Sequence, residues 1–369
     1  MNVAALPRRG LERWLQFRVD LPLLIALMLA VAVGLITLYS ASGGNDRVVM
    51  SQAARLGVGF VALWVLSRIP PAQLRLWTPT LFAASLLLLM LVPLVGSGRN
   101  ARSWLNLGVV YLQPAELLKL TLPMMVAWWL QRRALPPSWL ALGGAAVLVA
   151  VPTALITIQP DLGTALLVAA SGCFVVFLAG IAWWRIALLA GAAAAIAPLA
   201  VGLMHEYQRA RLRTFLAPDS DPLGAGWNII QSKIAVGSGG LFGKGWGAGT
   251  QSRLDFLPEQ TTDFIFAVFA EEFGLIGVLA LLSLYLFIVG RALWIAAQSR
   301  DSYARLLAGA LALTFLIYVL VNGGMVAGLL PVVGVPMPLL SFGGTSAVSL
   351  LAGFGIVMSV HVHRRFMGA

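Results

Sequence analysis

LPLLIALMLAVAVGLITLY, residues 21–39, carries no charged side chain. At 1.5 Å per residue, a helix made from this run reaches across a hydrocarbon core about 30 Å thick. Arg8, Arg9, Arg13 and Arg18 precede it, and Ser40-Ala41-Ser42 could pass as a cleavage site. The run is nevertheless longer than the roughly 7–15 apolar residues of a secretory leader, so it reads as a retained first membrane helix.

Runs of the same kind recur outward from it. The chain has 369 residues, 60% apolar and 11% charged, whereas a soluble domain is about 25% charged. In lipid only helices and closed barrels satisfy their own backbone, and a barrel would show segments of about 10 residues alternating apolar and polar. Here the runs are longer and apolar on all sides. The fold class is therefore an all-α integral membrane protein, with ten predicted spans near residues 21–41, 51–67, 76–95, 115–131, 138–158, 163–181, 185–204, 263–290, 306–329 and 345–362. Residues 1–369 read as one polytopic domain, with a large loop, 205–262, between spans seven and eight. No internal repeat is visible, which weakens a transporter reading.

The formal net charge is +11, but its distribution points to a membrane and not to nucleic acid. Arg68, Arg75, Arg132, Arg133, Arg185, Arg291, Arg300, Arg305, Arg364 and Arg365 fall with the N-terminal arginines in alternate connections. The short loops opposite hold only Arg47, Arg99 and Arg102. The arginine-rich face is cytoplasmic, so both termini are expected there and loop 205–262 outside, since long loops cross largely regardless of charge. The single cysteine, Cys173, lies inside an apolar run and can form no internal disulfide.

The outer loop leads into the most polar stretch of the chain, Trp227 to Glu272. Trp227, Ile230 and Ile234 recur at helical spacing while Asn228, Gln231 and Ser232 face elsewhere. This predicts a short amphipathic helix, too short to span, lying on or dipping into the membrane surface. The glycine-rich run from Gly237 to Gly249 reads as tight turns whose N–H groups could approach an anionic ligand.

Acids mark the candidate chemistry. Asp263 is placed at the outer start of span eight, with Glu271 and Glu272 deeper in the same span. Several acids entering a membrane helix are costly unless they face a cavity or partners. Asp263 is the candidate functional carboxylate, and Glu271 and Glu272 are read as structural. Glu116 and Lys119, three apart on one helix face, read as a structural ion pair. Asp161, in Gln159-Pro160-Asp161-Leu162-Gly163-Thr164, reads either as a helix cap or as a polar-cavity residue. Asp255 and Glu259 flank Leu257-Pro258, and spacing alone does not separate them from Asp263 as a general base. Lys233, Lys244, Arg253, Arg99 and Arg102 share the outer side, and a basic surface there suits a phosphate or pyrophosphate head group. There is no metal-ligand cluster, no Walker loop and no nucleophile–histidine arrangement.

These motifs together resemble the SEDS family (shape, elongation, division and sporulation) from the first span to the tail. The resemblance rests on Gln113-Pro114-Ala115-Glu116 with Lys119, Gln159 to Thr164, Gln231-Ser232-Lys233-Ile234-Ala235, and Gly249-Thr250-Gln251. It continues through Phe256-Leu257-Pro258-Glu259, Thr262-Asp263-Phe264-Ile265-Phe266-Ala267, Glu271-Glu272-Phe273-Gly274 and Asn322 to Ser346. Gly324-Met325-Val326 and Val335-Pro336-Met337-Pro338 are closer to the RodA-like elongation branch than to the division branch. Thr261 stands where a histidine is usual, Phe342 for a tyrosine, Ala115 for a serine and Ser103 for an arginine.

The resemblance implies a peptidoglycan glycosyltransferase of the bacterial cytoplasmic (inner) membrane that uses lipid II, with the family's catalytic aspartate falling on Asp263. The implied partners are a class B penicillin-binding protein transpeptidase, other elongation-complex membrane proteins and membrane lipids, with no nucleic acid. Asp263 would take a proton from the acceptor hydroxyl. Lys233, Arg102, Asp161, Lys244, Arg253 and Glu259 are the expected substrate contacts. A divalent cation, Mg or Mn, could also neutralise the leaving pyrophosphate. A lipid II flippase and a non-catalytic scaffold for a transpeptidase are the alternatives.

Overall fold

The computed structural model describes residues 19–96, 103–106, 111–159, 161–203, 209, 213–215, 217, 225–254, 256–257 and 259–364. In chain order the helices are α1 (Leu21–Ala41), α2 (Asp46–Arg68), α3 (Pro71–Val95), α4 (Pro114–Gln131), α5 (Trp139–Ile158), α6 (Leu162–Leu178) and α7 (Trp183–Leu203). There follow α8 (Ala225–Ser238), α9 (Thr250–Arg253), α10 (Ile265–Ala297), α11 (Ser302–Val326) and α12 (Gly344–Arg364). A short antiparallel pair, β1 (Leu105–Asn106) with β2 (Tyr111–Leu112), precedes α4.

Each predicted span falls on one of these helices. Seven of them, α1, α2, α3, α5, α10, α11 and α12, are long and apolar enough to cross a membrane. The outer surfaces suit lipid: Leu76, Leu94 and Leu140 turn most of their side chains outward. Helix starts follow local chemistry. Proline opens α1, α3 and α4, where its missing N–H would have no helical partner anyway.

The bundle is built around α11 and α12, which are mostly buried in protein. Helix α11 is flanked by α10, α6, α4 and α12, while α12 lies along α2. A Cβ on Gly355 would fall 2.6 Å from the Leu63 carbonyl oxygen, so the small residue sets how closely α12 meets α2. Edge-to-face rings, Tyr285 on Phe315 and Phe315 on Phe354, tie α10, α11 and α12 together. At the opposite end of α10 from the site, Asp20 caps α1 through the Leu23 N–H (3.0 Å). Its two oxygens also accept from Arg291 Nε (3.0 Å) and Nη2 (2.7 Å).

Helix α8 is present, and it is its polar face that meets the protein. Ile229, Gln231, Ser232 and Ala235 are buried, and Ile234 faces out. The Ser232 hydroxyl donates to the Val326 carbonyl at 3.0 Å, at the end of α11. Between helices in lipid, apolar bulk gains little from turning inward. Small and hydrogen-bonding side chains allow close approach instead, so the polar stripe forms the contact.

Helix α10 is broken at Gly274, whose φ of 64° and ψ of −167° are not helical. The glycine run after α8 lies against the break and repairs it. The Lys244 and Gly245 N–H groups donate to the Glu271 and Glu272 carbonyls, each at 3.0 Å. In return Leu275 and Ile276 N–H donate to the Gly240 and Leu241 carbonyls at 2.9 and 3.1 Å. A Cβ on Gly243 would lie 2.1 Å from the Glu272 carbonyl oxygen, and one on Gly274 2.3 Å from the Gly243 nitrogen. Gly243 and Gly274 therefore serve backbone-to-backbone approach within the chain, and the Gly243, Gly245 and Gly247 N–H groups are taken by the chain's own oxygens.

Candidate active site

Asp263 does not begin a helix. It lies in a series of turns, 259–264, and Phe264 is the N-cap residue of α10. The predicted start at residue 263 is two residues early, because Glu259 winds the chain into a turn first. Thr262 and Phe264 N–H donate to the Glu259 carbonyl at 3.1 and 3.3 Å, and Thr262 Oγ1 donates to Glu259 Oε2 at 2.9 Å. Glu259 adopts φ 53°, a left-handed conformation that a non-glycine residue holds only when its surroundings enforce it.

The end of α11 and the connection from it to α12 hold this turn from behind. Asn322 Nδ2 donates to the Asp263 carbonyl (2.9 Å) and to the Val335 carbonyl (2.7 Å). Ser341 Oγ donates to the Thr262 carbonyl (2.6 Å) and accepts from the Met337 N–H (2.8 Å). Phe342 N–H donates to the Thr261 carbonyl at 2.8 Å, so two positions that depart from the family pattern touch through their backbones. Opposite the carboxylate stands Gly334, where a Cβ would lie 3.7 Å from Asp263 Oδ2.

Asp161 reaches the same connection from the other side. Its Oδ1 accepts from the Thr164 N–H at 3.1 Å, capping α6, and its Oδ2 accepts from Gln113 Nε2 at 3.4 Å. Gly163, in the same turn, abuts Val333: a Cβ there would fall 2.2 Å from its carbonyl oxygen. The Asp161 and Asp263 turns thus flank residues 333–335. Lys233 lies farther along, its stem over Gly328, where a Cβ would sit 2.7 Å from Nζ.

Lys244 is directed elsewhere. Its Nζ lies 2.6 Å from Oε1 of the wholly buried Glu271. That oxygen also accepts from Thr250 N–H (2.8 Å), Thr250 Oγ1 (2.9 Å) and Gln251 N–H (3.2 Å). The anion held beside the glycine run is the chain's own carboxylate. Glu272 Oε1 accepts from Ser40 Oγ and from Gly247 N–H at 3.1 Å. Among the described residues its Oε2 has no hydrogen-bond partner.

Two neighbouring cavities open beside these turns. One, of about 490 Å³, is lined by Ser42, Val48, Leu257, Glu259, Gln260 and Thr261. The other, of about 660 Å³, shares Ser42 and Gln260 and adds Tyr39, Ser40, Trp246 and Arg253. The Glu116–Lys119 pair (2.7 Å) lies deeper in the bundle, with Ser349 Oγ donating to Glu116 Oε2 at 2.7 Å. Arg102, Arg99 and Asp255 lie outside the described residues. Among the described residues, no group of three or more His, Cys, Asp or Glu side chains could hold a metal ion.

Asn322 and Ser341 were missed as site residues because they carry no charge. The available signal was an asparagine inside an apolar run, since a buried amide in a membrane helix needs hydrogen-bond partners.

Comparison with known proteins places the whole chain among similar proteins. The family of cell cycle proteins represented by FtsW, RodA and SpoVE matches residues 20–366. The peptidoglycan glycosyltransferase MrdB of Escherichia coli (strain K12) is 48% identical over 356 residues, covering 96% of each chain. Among solved structures, one chain of a peptidoglycan synthase complex that coordinates polymerization and crosslinking matches with a TM-score of 0.82 and 36% identity. The match covers 94% of this chain and 99% of that one. An aspartate-to-alanine variant of the Thermus thermophilus rod shape determining protein RodA matches with a TM-score of 0.73 and 32% identity over 94% and 99% of the two chains.

Proposed function

The chain belongs to the FtsW, RodA and SpoVE family of cell cycle proteins, and on that premise we propose that it is a multi-pass membrane peptidoglycan glycosyltransferase, with Asp263 as its general base. It joins lipid II disaccharides into glycan strands during cell elongation. Both termini are cytoplasmic and loop 205–262 faces outward, so the reaction takes place at the outer membrane surface. A class B penicillin-binding protein is the transpeptidase that crosslinks the strands, alongside other membrane proteins of the elongation complex.

The observation that carries the site is the placement of Asp263. Its turn is held by Glu259, Asn322 and Ser341 beside an open cavity. A hydroxyl is a poor nucleophile at neutral pH, and a positioned carboxylate accelerates its attack by about 10²–10⁴-fold. In this reading Asp263 takes the acceptor proton as the sugar oxygen attacks the anomeric carbon. The bond to the pyrophosphate oxygen breaks, and its electron pair leaves with the pyrophosphate. The α-linked donor becomes a β-linked product in one displacement, so no second carboxylate nucleophile is needed. Of the cations expected to contact substrate, Lys233 and Arg253 are the described ones left to meet the leaving charge, with Arg102 as a further candidate, because Lys244 is held by Glu271. Asp161 orients substrate from the far side of residues 333–335.

The test is lipid II polymerisation by purified protein with its transpeptidase, comparing wild type with Asp263→Ala and Asp263→Asn. Glycan from wild type and none from folded, partner-bound variants is the expected result. Normal polymerisation by the variants removes Asp263 as the base. A wild-type complex that moves lipid II across vesicles without polymerising it replaces the enzyme reading with a flippase.

A further inference from the structure

The 660 Å³ groove beside the glycine run carries an aromatic pair that the chemistry at Asp263 does not explain. One wall is the end of α1, with Tyr39 and Ser40, and the turn after it, with Ser42, and the other carries Trp246 and Arg253. Tyr39 and Trp246 stack, with ring centroids 5.9 Å apart and planes 21° from parallel. Trp246 is 54% exposed although it is a large aromatic. Its Nε1–H donates to the Ile36 carbonyl at 3.2 Å, so the ring is fixed in orientation before any ligand arrives. Behind the groove, Glu272 bridges Ser40 and Gly247, and its second oxygen is a buried acceptor without a partner among the described residues.

These features fit one class of ligand. A lipid tail would meet serines, an amide and a guanidinium. A bare phosphate would need Arg253 but not the aromatic pair. A pyranose ring has an apolar C–H face that packs on the negative face of an aromatic ring, and a rim of hydroxyls that suits Ser42, Gln260 and the backbone. The volume lies within the roughly 300–1,000 Å³ of small-molecule pockets. The groove also meets the cavity at Thr261 through shared walls, Ser42 and Gln260, so a chain of sugars can run from one into the other.

We propose that this groove is a saccharide subsite: a sugar ring stacks on the Tyr39–Trp246 pair, its hydroxyls meet Ser42 and Gln260, and Arg253 holds an anionic group carried by the same sugar unit. The proposal rests on the glycosyltransferase reading and adds the place where one substrate sugar is held. The sugar unit comes either from the growing strand or from the lipid-linked donor.

The test is calorimetric titration of the full-length protein, in detergent with its transpeptidase, using a soluble N-acetylglucosaminyl-N-acetylmuramyl pentapeptide. Inorganic pyrophosphate is the second probe. Trp246→Leu and Arg253→Gln are expected to weaken muropeptide binding by about tenfold or more. Trp246→Phe, which keeps a ring, is expected to bind within about threefold of wild type. Displacement of the bound muropeptide by a glycan oligomer identifies the strand as the source, and displacement by lipid II alone identifies the donor. Muropeptide binding that Trp246→Leu leaves unchanged overturns the proposal, as does pyrophosphate binding as tight as the muropeptide's. Polymerising wild type with Trp246-independent binding sinks the subsite alone. Trp246-dependent binding in a wild type that polymerises nothing leaves the subsite standing and sinks the catalytic reading.

Discussion

Asn322 holds the backbone of Asp263 through one amide hydrogen bond of 2.9 Å and the backbone of Val335 through another of 2.7 Å. One buried side chain therefore sets the spacing between the turn that carries the carboxylate and the segment facing it. Asn322→Leu leaves both carbonyls without that donor, at about 1–3 kcal/mol for each buried group. A shift of about 1 Å in a reacting group can cost 10²-fold in rate. The expected outcome is a lower melting temperature and polymerisation reduced at least tenfold, read by gel analysis of glycan from equal amounts of folded protein.

Glu271 is the counter-anion of the glycine run, so its loss should outweigh the loss of its cation. Glu271→Ala leaves Lys244 and the Thr250 and Gln251 N–H groups without their acceptor, on the scale of about 3–5 kcal/mol for breaking a buried pair. Lys244 is partly exposed, and in Lys244→Met the Thr250 and Gln251 donors still serve the carboxylate. Thermal melts in detergent should rank Glu271→Ala well below Lys244→Met. The reverse order would mean that the lysine, not the carboxylate, organises the loop.

Gly243→Ala places a methyl group 2.1 Å from the Glu272 carbonyl oxygen at φ 80°, and Gly274→Ala meets Gly243 in the same way. Both should prevent stable folding, because neither backbone can retreat without breaking the hydrogen bonds between them. Gly143→Ala, on the open face of α5, is the control and should be neutral or stabilising by about 0.5–1 kcal/mol. Expression and monodispersity after size-exclusion chromatography separate the outcomes.

The Asp20–Arg291 pair predicts an acid limb to stability. Burial by itself raises the Asp20 carboxyl. The hydrogen bond from Arg291, the Leu23 N–H and the nearby Arg291 and His361 charges outweigh it and hold the group below the usual carboxylate range. Such a group contributes stability that is complete above its unfolded value of about 3.9 and is lost as pH falls through the lower folded value. Wild type should lose melting temperature progressively below about pH 4. Asp20→Asn should melt lower at neutral pH and show a flatter acid limb. Parallel curves for the two proteins would exclude Asp20 as the titrating group.

Much of the fold was legible because lipid imposes a one-dimensional rule. Apolar length and arginine placement can be read along the chain without knowing what touches what. Helix α8 shows where that rule stops: Trp227, Ile230 and Ile234 give the helix its period, and packing sets the face of Ser232 and Ala235 against the protein. Periodicity reports that two faces differ. It does not report which face turns inward when the surrounding medium is itself apolar.

The candidate site divides along the same line. Asp263, Asp161 and Lys233 could be picked out because charge is rare in such a chain, and Glu271 because four acids in fourteen residues, counting Glu259 and Glu272, need partners. Hydropathy, charge and motif order along the chain are enough for an all-helical membrane protein, its family and its candidate acids. Packing is what puts the glycine run against a broken helix, Lys244 on Glu271, and Asn322 and Ser341 on the turn of Asp263. Those outcomes depend on hydrogen bonds between segments tens of residues apart, and the direction of such bonds is fixed only once the helices have packed.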